Sequence, residues 1–326
     1  MYKAVPLAGG TVFCFLALYF LNINTLIIST LEDSSRIPEL NIPPSTAFLD
    51  WFIHQALEED VRQGDQTVLA IFPEDTPGAG LGLMKADGVV AGLKAAQHVF
   101  TKLDSRAKFR SLVEDGDEVP RGTQIFQVEA PLPVLLTGER LALNILQRMS
   151  AIASLTRRAV HELAGTECKL LDTRKTTPLF RAFEKWAVHI GGGTNHRMGL
   201  YDLIMIKDNH VDYAGSLEKA LQLADEYRKT HAPALKIEIE TRNLDEVECA
   251  LATGIPEIIM LDNMTTEHMR QAVELNNRRA TLEASGGITL ETLAQVAATG
   301  VDAVSMGALT HSAGSLDISM KAQVKH

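Results

Sequence analysis

Residues 257–287, EIIMLDNMTTEHMRQAVELNNRRATLEASGG, read as strand, helix, strand. The flanking pieces EIIMLDN (257–263) and TLEASGG (281–287) are mostly apolar until their last residues. Strands buried on both faces of a parallel sheet have that texture. Between them, TTEHMRQAVELNNR (265–278) is amphipathic at helical spacing. The same alternation continues on both sides. CKLLDTR (168–174), YDLIMIKDN (201–209), ALKIEIET (234–241) and DAVSMGA (302–308) are further strand-like runs, and SLEKALQLADEYRKT (216–230) is another amphipathic piece. Strands alternating with helices predict a parallel α/β sheet. Six such strands follow Cys168, so the expected fold is an incomplete α/β barrel with parallel strands. The strands end on Asp172, Arg174, Lys175, Lys207, Asp208, Glu238, Glu240, Asp262, Ser285 and Ser305. In such barrels the C-terminal strand ends form the active-site mouth, so these polar groups are expected to converge.

The preceding part has a different texture. Ser45 is placed to cap a helix carrying Phe48, Phe52, Ile53, Ala56 and Leu57, which Gly64 ends. LGLMKADGVVAGL (81–93), KFRSLVEDGDEV (108–119) and TQIFQVEA (123–130) are short extended pieces, with turns signalled at Asp87-Gly88 and Asp115-Gly116. This predicts a small α+β sandwich domain over residues 40–136. A long helical stretch from Thr137 to Leu163 opens the barrel domain, residues 137–312. LDISMKA (316–322) alternates like a half-buried strand, so residues 313–326 are expected to return to the small domain and join it.

The chain has 326 residues, with 31 Lys+Arg against 41 Asp+Glu, a formal charge of −10. That balance argues against a nucleic-acid binder, which shows a basic surface. A hydrophobic fraction of 46% with 22% charged residues is ordinary for a globular enzyme. Cys14, Cys168 and Cys249 are far apart and form no CxxC, so neither a disulfide framework nor a zinc site is indicated. A reducing, cytoplasmic setting is expected. Residues 1–39 form an apolar N-terminal extension whose run Val12–Leu21 is too short to span a bilayer alone. A start upstream of the real domain, a weak membrane or export segment, and a packed helix are the three readings of it.

Against the acidic whole, residues 171–210 carry six Lys/Arg (174, 175, 181, 185, 197, 207) and four Asp/Glu (172, 184, 202, 208). Arg174, Lys175, His196, Arg197 and Lys207, with Arg140 as a candidate from the long helix, suit a pocket for anions. Glu238 and Glu240 share one strand face. Glu240 and Asp262 end successive strands and are suited to hold one Mg²⁺, a hard ion bound by few protein oxygens. Backbone amides at Gly286-Gly287 and Gly307 are placed to cradle a phosphate. GGGTNHR (191–197) is a third flexible loop whose glycines would let backbone approach a ligand. A Schiff-base role for Lys207 needs an apolar pocket or a neighbouring cation, and Asp208 beside it argues otherwise.

LDTRKTTP (171–178), EKWAVHIGGGTNHRMGLYDLIMIKDNH (184–210), IEIET (237–241), IMLDN (259–263), EASGGIT (283–289) and VDAVSMGALTHS (301–312) together resemble the quinolinate phosphoribosyltransferase family. ALEEDVRQGDQT (56–67), KADGVVAG (85–92), VEDGDEVPRGTQIF (113–126) and GERLALNILQRMS (138–150) are similar to its small-domain and helix pieces, in the same order. The resemblance runs from about Ile42 to the C-terminus. It implies that quinolinate and phosphoribosyl pyrophosphate give nicotinate mononucleotide, pyrophosphate and CO₂ with Mg²⁺. By matching position, Arg140, Arg174, His196, Arg197 and Lys207 would bind quinolinate. Lys175, Lys207, Glu240 and Asp262 would face phosphoribosyl pyrophosphate, Glu240 and Asp262 through the metal. Ser285, Gly286, Gly287, Gly307 and His311 would hold phosphate. It also implies a homodimer, or a hexamer as a trimer of dimers, with Arg140 reaching the neighbouring subunit's site.

Two departures from the family pattern stand out. Leu179-Phe180 replaces the usual Gly-Leu before Arg181, and Ala151 stands where glycine is usual. Three rivals are a related pyrophosphorylase-like protein found with molybdate transport, an aldolase-type barrel, and a membrane-attached binding protein without catalysis. The intact TRK, NHR and KDNH set argues against the first and third.

Overall fold

The computed structural model describes residues 40–72 and 76–323; the apolar run Val12–Leu21 lies outside them. The first helix, α1 (Thr46–Asp60), begins where Ser45 accepts a hydrogen bond from the Phe48 amide at 3.2 Å. After a short helix, α2 (Gln66–Ile71), come β1 (Pro77–Met84), β2 (Gly88–Val89), α3 (Leu93–Leu103), β3 (Lys108–Ser111), β4 (Glu118–Val119) and β5 (Gln124–Pro131). The long helix α4 (Leu132–Glu162) follows. It starts five residues before Thr137, because Pro133 occupies the first turn, where no amide hydrogen bond is lost.

The β/α alternation then runs β6 (Lys169–Leu171), α5 (Arg181–Ile190), β7 (Ile204–Ile206), α6 (Asp208–Ala214), α7 (Leu217–His231), β8 (Ile237–Thr241), α8 (Leu244–Thr253), β9 (Ile258–Asp262), α9 (Thr266–Asn276), β10 (Thr281–Ser285), α10 (Leu290–Ala297) and β11 (Ala303–Ser305). A one-turn helix, α11 (Ala308–His311), and β12 (Ile318–Ala322) complete it.

The six barrel strands form one sheet in the order β6-β11-β10-β9-β8-β7, all pairs parallel. The sequence-adjacent strands β6 and β7 sit at opposite edges, so the barrel is open there. Helix α5 and the 191–203 loop run between them, and α5 packs on α4. The apolar alternation fixes the facing of each strand. Ile237, Ile239, Ile259, Leu261, Leu282, Ala284 and Val304 are buried in the apolar core. Glu238, Glu240, Asp262, Glu283 and Ser285 occupy the other face. Strand β12 pairs antiparallel with β1 in a second sheet, ordered β12-β1-β5-β3, so the C-terminal strand joins the small antiparallel layer. Phe48 and Phe52 of α1 lie 5.7 and 4.7 Å from Phe183 of α5, tying the first helix to the open edge of the barrel. Aromatic pairs at such spacings add about 0.5–1.5 kcal/mol beyond area burial. Among the described residues no helix is long and apolar enough to cross a membrane.

Leu179 has φ +63°, in the left-handed region, and its side chain is 59% exposed. That conformation costs an L-residue about 1–2 kcal/mol, and exposure returns little of it. The family's usual glycine fits this backbone without strain. Leu179→Gly should therefore stabilise the fold by about 0.5–1 kcal/mol after glycine's own entropic penalty. Thermal unfolding checks this: a rise in Tm is expected, and an unchanged or lower Tm contradicts the strain.

Candidate active site

The C-terminal strand ends surround a cavity of about 510 Å³. Arg174, Lys175, His196, Arg197, Lys207, Glu240, Asp262, Ser285, Gly286 and Gly287 all line it, and so do Met205, Met260, Asn263, Glu283 and Ser305. Sheet register explains the gathering. In parallel pairing Met205 lies beside Glu238, Glu240 beside Met260, and Asp262 beside Ser285. Of these paired side chains, the carboxylates of Glu240 and Asp262, the Ser285 hydroxyl and the two thioethers reach one space, while Glu238 stays beneath it.

The cations are crowded. Burial and then the neighbouring Arg174 guanidinium push the Arg197 pKa down, partly offset by Glu238 and Asp202. An arginine still keeps its charge. Lys207, with its side chain 47% exposed, pairs with Glu240 Oε2 at 3.1 Å. It is not the desolvated lysine that a Schiff-base enzyme requires. Gly307 brings Lys175 and His311 together: a Cβ at 307 would stand 2.9 Å from Lys175 Cδ and 3.3 Å from His311 Nε2. Gly286, at φ +95°, has Asn263 Oδ1 where a Cβ would be, at 2.3 Å, so no larger residue fits that turn. Gly307 and His311 thus stand behind Lys175, but neither is itself among the residues lining the cavity. Nor is Arg140: it is exposed on α4, away from this chain's cavity lining.

Two strand-end residues expected at the mouth, Asp172 and Glu238, lie beneath it. Asp172 is fully buried and pairs with the equally buried Lys185. Glu238 and Glu283 are buried under His196, whose Nε2 is 3.1 Å from Glu238 Oε2 and 3.4 Å from Glu283 Oε2. Burial raises the Glu238 carboxyl, and the Glu283 charge adds to this, while His196 opposes it. Burial would lower the His196 imidazole, but the two carboxylates outweigh it and raise it to about 10. Charge balance thus favours a second proton on the ring. The hydrogen bonding does not: Nδ1 accepts the Arg197 amide at 2.7 Å. Geometry decides for this arrangement, and the proton sits on Nε2, facing the carboxylates.

The same fact bears on metal binding. Ligand atoms of His196, Glu238 and Glu283 all lie within 4.8 Å of one another, close enough for an ion. A metal on Nε2 requires Nδ1–H donated to an acceptor, but Nδ1 faces a donor. This trio therefore fits a proton better than a metal. Glu240 and Asp262 offer hard carboxylate oxygens from adjacent strands to the same cavity, with no cysteine among the described lining residues, and their chemistry fits Mg²⁺.

The glycine triplet 191–193 also differs from expectation. A Cβ on Gly191 would meet Ala153 O and Thr156 Cβ at 2.6 Å, and one on Gly193 would meet Val188 Cγ1 at 2.8 Å. These glycines let the loop press on α4 and α5; they are not cavity lining. Ser305, 5% exposed, was visible only as a strand-end polar residue. Its Oγ and Arg174 Nε are buried with no hydrogen-bond partner among the described residues, and both residues face the cavity. Buried polar atoms of this kind are costly unless a ligand satisfies them.

The Lys175 loop is anchored from behind. Arg148 of α4 donates to Glu184 Oε1 at 2.7 Å and to the Thr310 carbonyl. Glu184 accepts from the Thr177 amide at 3.0 Å, and Thr310 Oγ1 donates to Lys175 O at 2.7 Å. The 175–177 loop and α11 are therefore held by one network.

Comparison with known proteins agrees with this geometry. A family model described as the quinolinate phosphoribosyl transferase C-terminal domain matches residues 152–321, and one described as the N-terminal domain of the same enzyme matches residues 65–150. The chain belongs to the quinolinate phosphoribosyltransferase family. It is 40% identical over 307 residues to quinolinate phosphoribosyltransferase (decarboxylating) 2, mitochondrial, of Nicotiana glauca, covering 88% of this chain and 87% of that protein. It is 41% identical over 294 residues to the probable nicotinate-nucleotide pyrophosphorylase (carboxylating) of Synechocystis, covering 88% and 98%. The crystal structure of NadC from Streptococcus pyogenes superposes with a TM-score of 0.80 at 42% identity, covering 84% of this chain and 95% of that one. The incomplete barrel with its antiparallel layer is the fold this family shares.

Proposed function

We propose that this chain transfers the phosphoribosyl group of phosphoribosyl pyrophosphate to quinolinate and decarboxylates the adduct. The products are nicotinate mononucleotide, pyrophosphate and CO₂, as in de novo NAD biosynthesis. The observation that carries the reading is the single cavity in which Arg174, Lys175, Arg197 and Lys207 face Glu240 and Asp262. Four cations crowded together need more than one anionic partner to neutralise them. A dicarboxylate and a phosphorylated sugar supply those charges.

In this reading Arg174 and Arg197 grip the quinolinate carboxylates through guanidinium forks. His196, with both ring nitrogens engaged, supports Arg197 and borders the ring. Met205 and Met260 give the flat pyridine an apolar, polarisable wall. Ser285, Gly286, Gly287, Gly307 and His311 hold the 5′-phosphate. Lys175 and Lys207 face the pyrophosphate side, and Glu240 and Asp262 would hold Mg²⁺. Bound there, Mg²⁺ would neutralise charge on the departing pyrophosphate. The pyridine nitrogen bonds to the anomeric carbon as the bond to pyrophosphate breaks. The resulting ring cation accepts the electron pair of the adjacent carbon–carboxylate bond, CO₂ leaves, and a solvent proton replaces it. The protein's part is fixed charge aimed at these groups, with little reorganisation.

Turnover of quinolinate with phosphoribosyl pyrophosphate tests the proposal. Nicotinate mononucleotide and CO₂ should form in equal amounts, and chelation of Mg²⁺ should abolish both. A folded sample yielding neither would overturn it. Arg174→Ala should raise the quinolinate KM about 100-fold or abolish turnover, because charge-assisted hydrogen bonds are lost. Ser305→Ala should raise it about tenfold or less, because one neutral donor is lost. Equal effects would contradict the reading that Arg174 binds as a charged fork and Ser305 as a single neutral hydroxyl.

Assembly is part of the proposal. Arg140 is exposed outside its own cavity, as expected if it completes the site of a neighbouring subunit in a homodimer or a trimer of dimers. Mixing inactive Arg140→Ala and Arg174→Ala chains should then restore about a quarter of parent activity, from the one intact site in each mixed dimer. No recovery after subunit exchange would place Arg140 elsewhere. The described cysteines Cys168 and Cys249 are free, which suits operation in a reducing cytoplasm.

A further inference from the structure

Resting on the assignment of Arg174 and Arg197 to the dicarboxylate, we propose that the buried Asp172–Lys185 ion pair is a positioning device. It clamps the backbone N–H and C=O of His196, on either side of its Cα, and so sets where Arg197 points. Neither residue lines the cavity, and neither is exposed. Asp172 lies just after β6, and Lys185 lies in the middle of α5. They meet across the open edge of the barrel.

One pair holds both ends of the loop's hydrogen-bonding capacity. Asp172 Oδ1 accepts the His196 amide at 2.9 Å, and Lys185 Nζ donates to the His196 carbonyl at 3.0 Å. Asn195 locks the two together: its Nδ2 donates to Asp172 Oδ2 at 2.6 Å and to Lys185 O at 2.8 Å. Thr194 adds a short strand-like contact, with its amide donating to Leu170 O at 2.8 Å. The Arg197 amide then donates to His196 Nδ1. The backbone from 194 to 197 is thereby fixed residue by residue.

The clamp has a load to resist. Arg174 and Arg197 stand close enough for their guanidinium groups to repel. The glycines at 191–193 are packed on α4 and α5, so the stretch left to be held is 194–197. Left unheld, it would relax by swinging Arg197 away from Arg174 and opening the gap between the two forks. An apolar pair of similar volume would fill the space under the loop without the cost of desolvating two charges. It would offer nothing to His196 N or O. The charged pair therefore supplies direction, and directional support of binding groups is what preorganisation requires.

The test uses the full chain with the pair made apolar, Asp172→Leu/Lys185→Met, so that nothing is left to bond His196 N or O. The quinolinate KM should rise about tenfold or more, because small misplacements of binding groups are costly, while the phosphoribosyl pyrophosphate KM stays within about twofold. Hydrogen exchange at the His196 and Arg197 amides should quicken, with β8 and β9 amides unchanged. Unchanged exchange at His196, or an unchanged quinolinate KM in a folded variant, would overturn the clamp. If the double variant does not fold, Asn195→Ala decides by the same readings, since it keeps both charges and removes only their lock. A parent chain with no turnover would count against the proposed reaction alone. The exchange comparison would still decide whether the pair holds the loop.

Discussion

Like charges gathered at the ends of parallel strands repel one another, and much of this molecule is arranged around holding them in place. Arg174 and Arg197 face one cavity with Lys175 and Lys207. Each cationic element has an anion behind or beside it. Asp172 sits under the 194–197 loop, Glu238 and Glu283 under His196, Glu240 beside Lys207, and Glu184 behind the Thr177 turn. These acids are mostly buried. They compensate the cations without neutralising the cavity, which stays open to anionic ligands.

The barrel's open edge makes this possible. A closed barrel would place β6 beside β7, but here they bound the sheet. The gap admits α5, which carries Lys185 and Glu184 inward, and the glycine loop that packs on α4. The aromatic cluster of Phe48, Phe52, Phe180 and Phe183 covers the outside of the same gap. Apolar packing on one side of α5 and ion pairs on its other side thus serve one purpose, to set the height and angle of the loops that carry His196 and Arg197. Supports of this kind must be rigid, because repulsion between the guanidiniums acts continuously.

Much of this was legible in the sequence, for identifiable reasons. The six barrel strands announce themselves as apolar runs, and their polar last residues mark the cavity, so Glu240, Asp262 and Ser285 were found by position alone. The returning strand at 318–322 was visible from its alternation. Other features depend on partners distant in sequence. Asp172 ends a strand as the cavity residues do, yet Lys185 draws it inward. Gly191 and Gly193 looked like ligand-binding glycines, but their need for a missing side chain comes from Ala153, Thr156 and Val188. Helix α4 begins before Thr137 because proline is tolerated in a first turn. Glu283 lies within a quoted strand, but only the fold puts it 3.4 Å from His196. No local pattern encodes that distance.

The most direct measurement is a crystal structure of the chain with quinolinate bound. Both carboxylates should lie in the cavity, one or both on the Arg174 and Arg197 guanidiniums, with the ring against Met205 or Met260. Quinolinate bound outside this cavity, or within it but with its carboxylates turned away from both arginines, would contradict it.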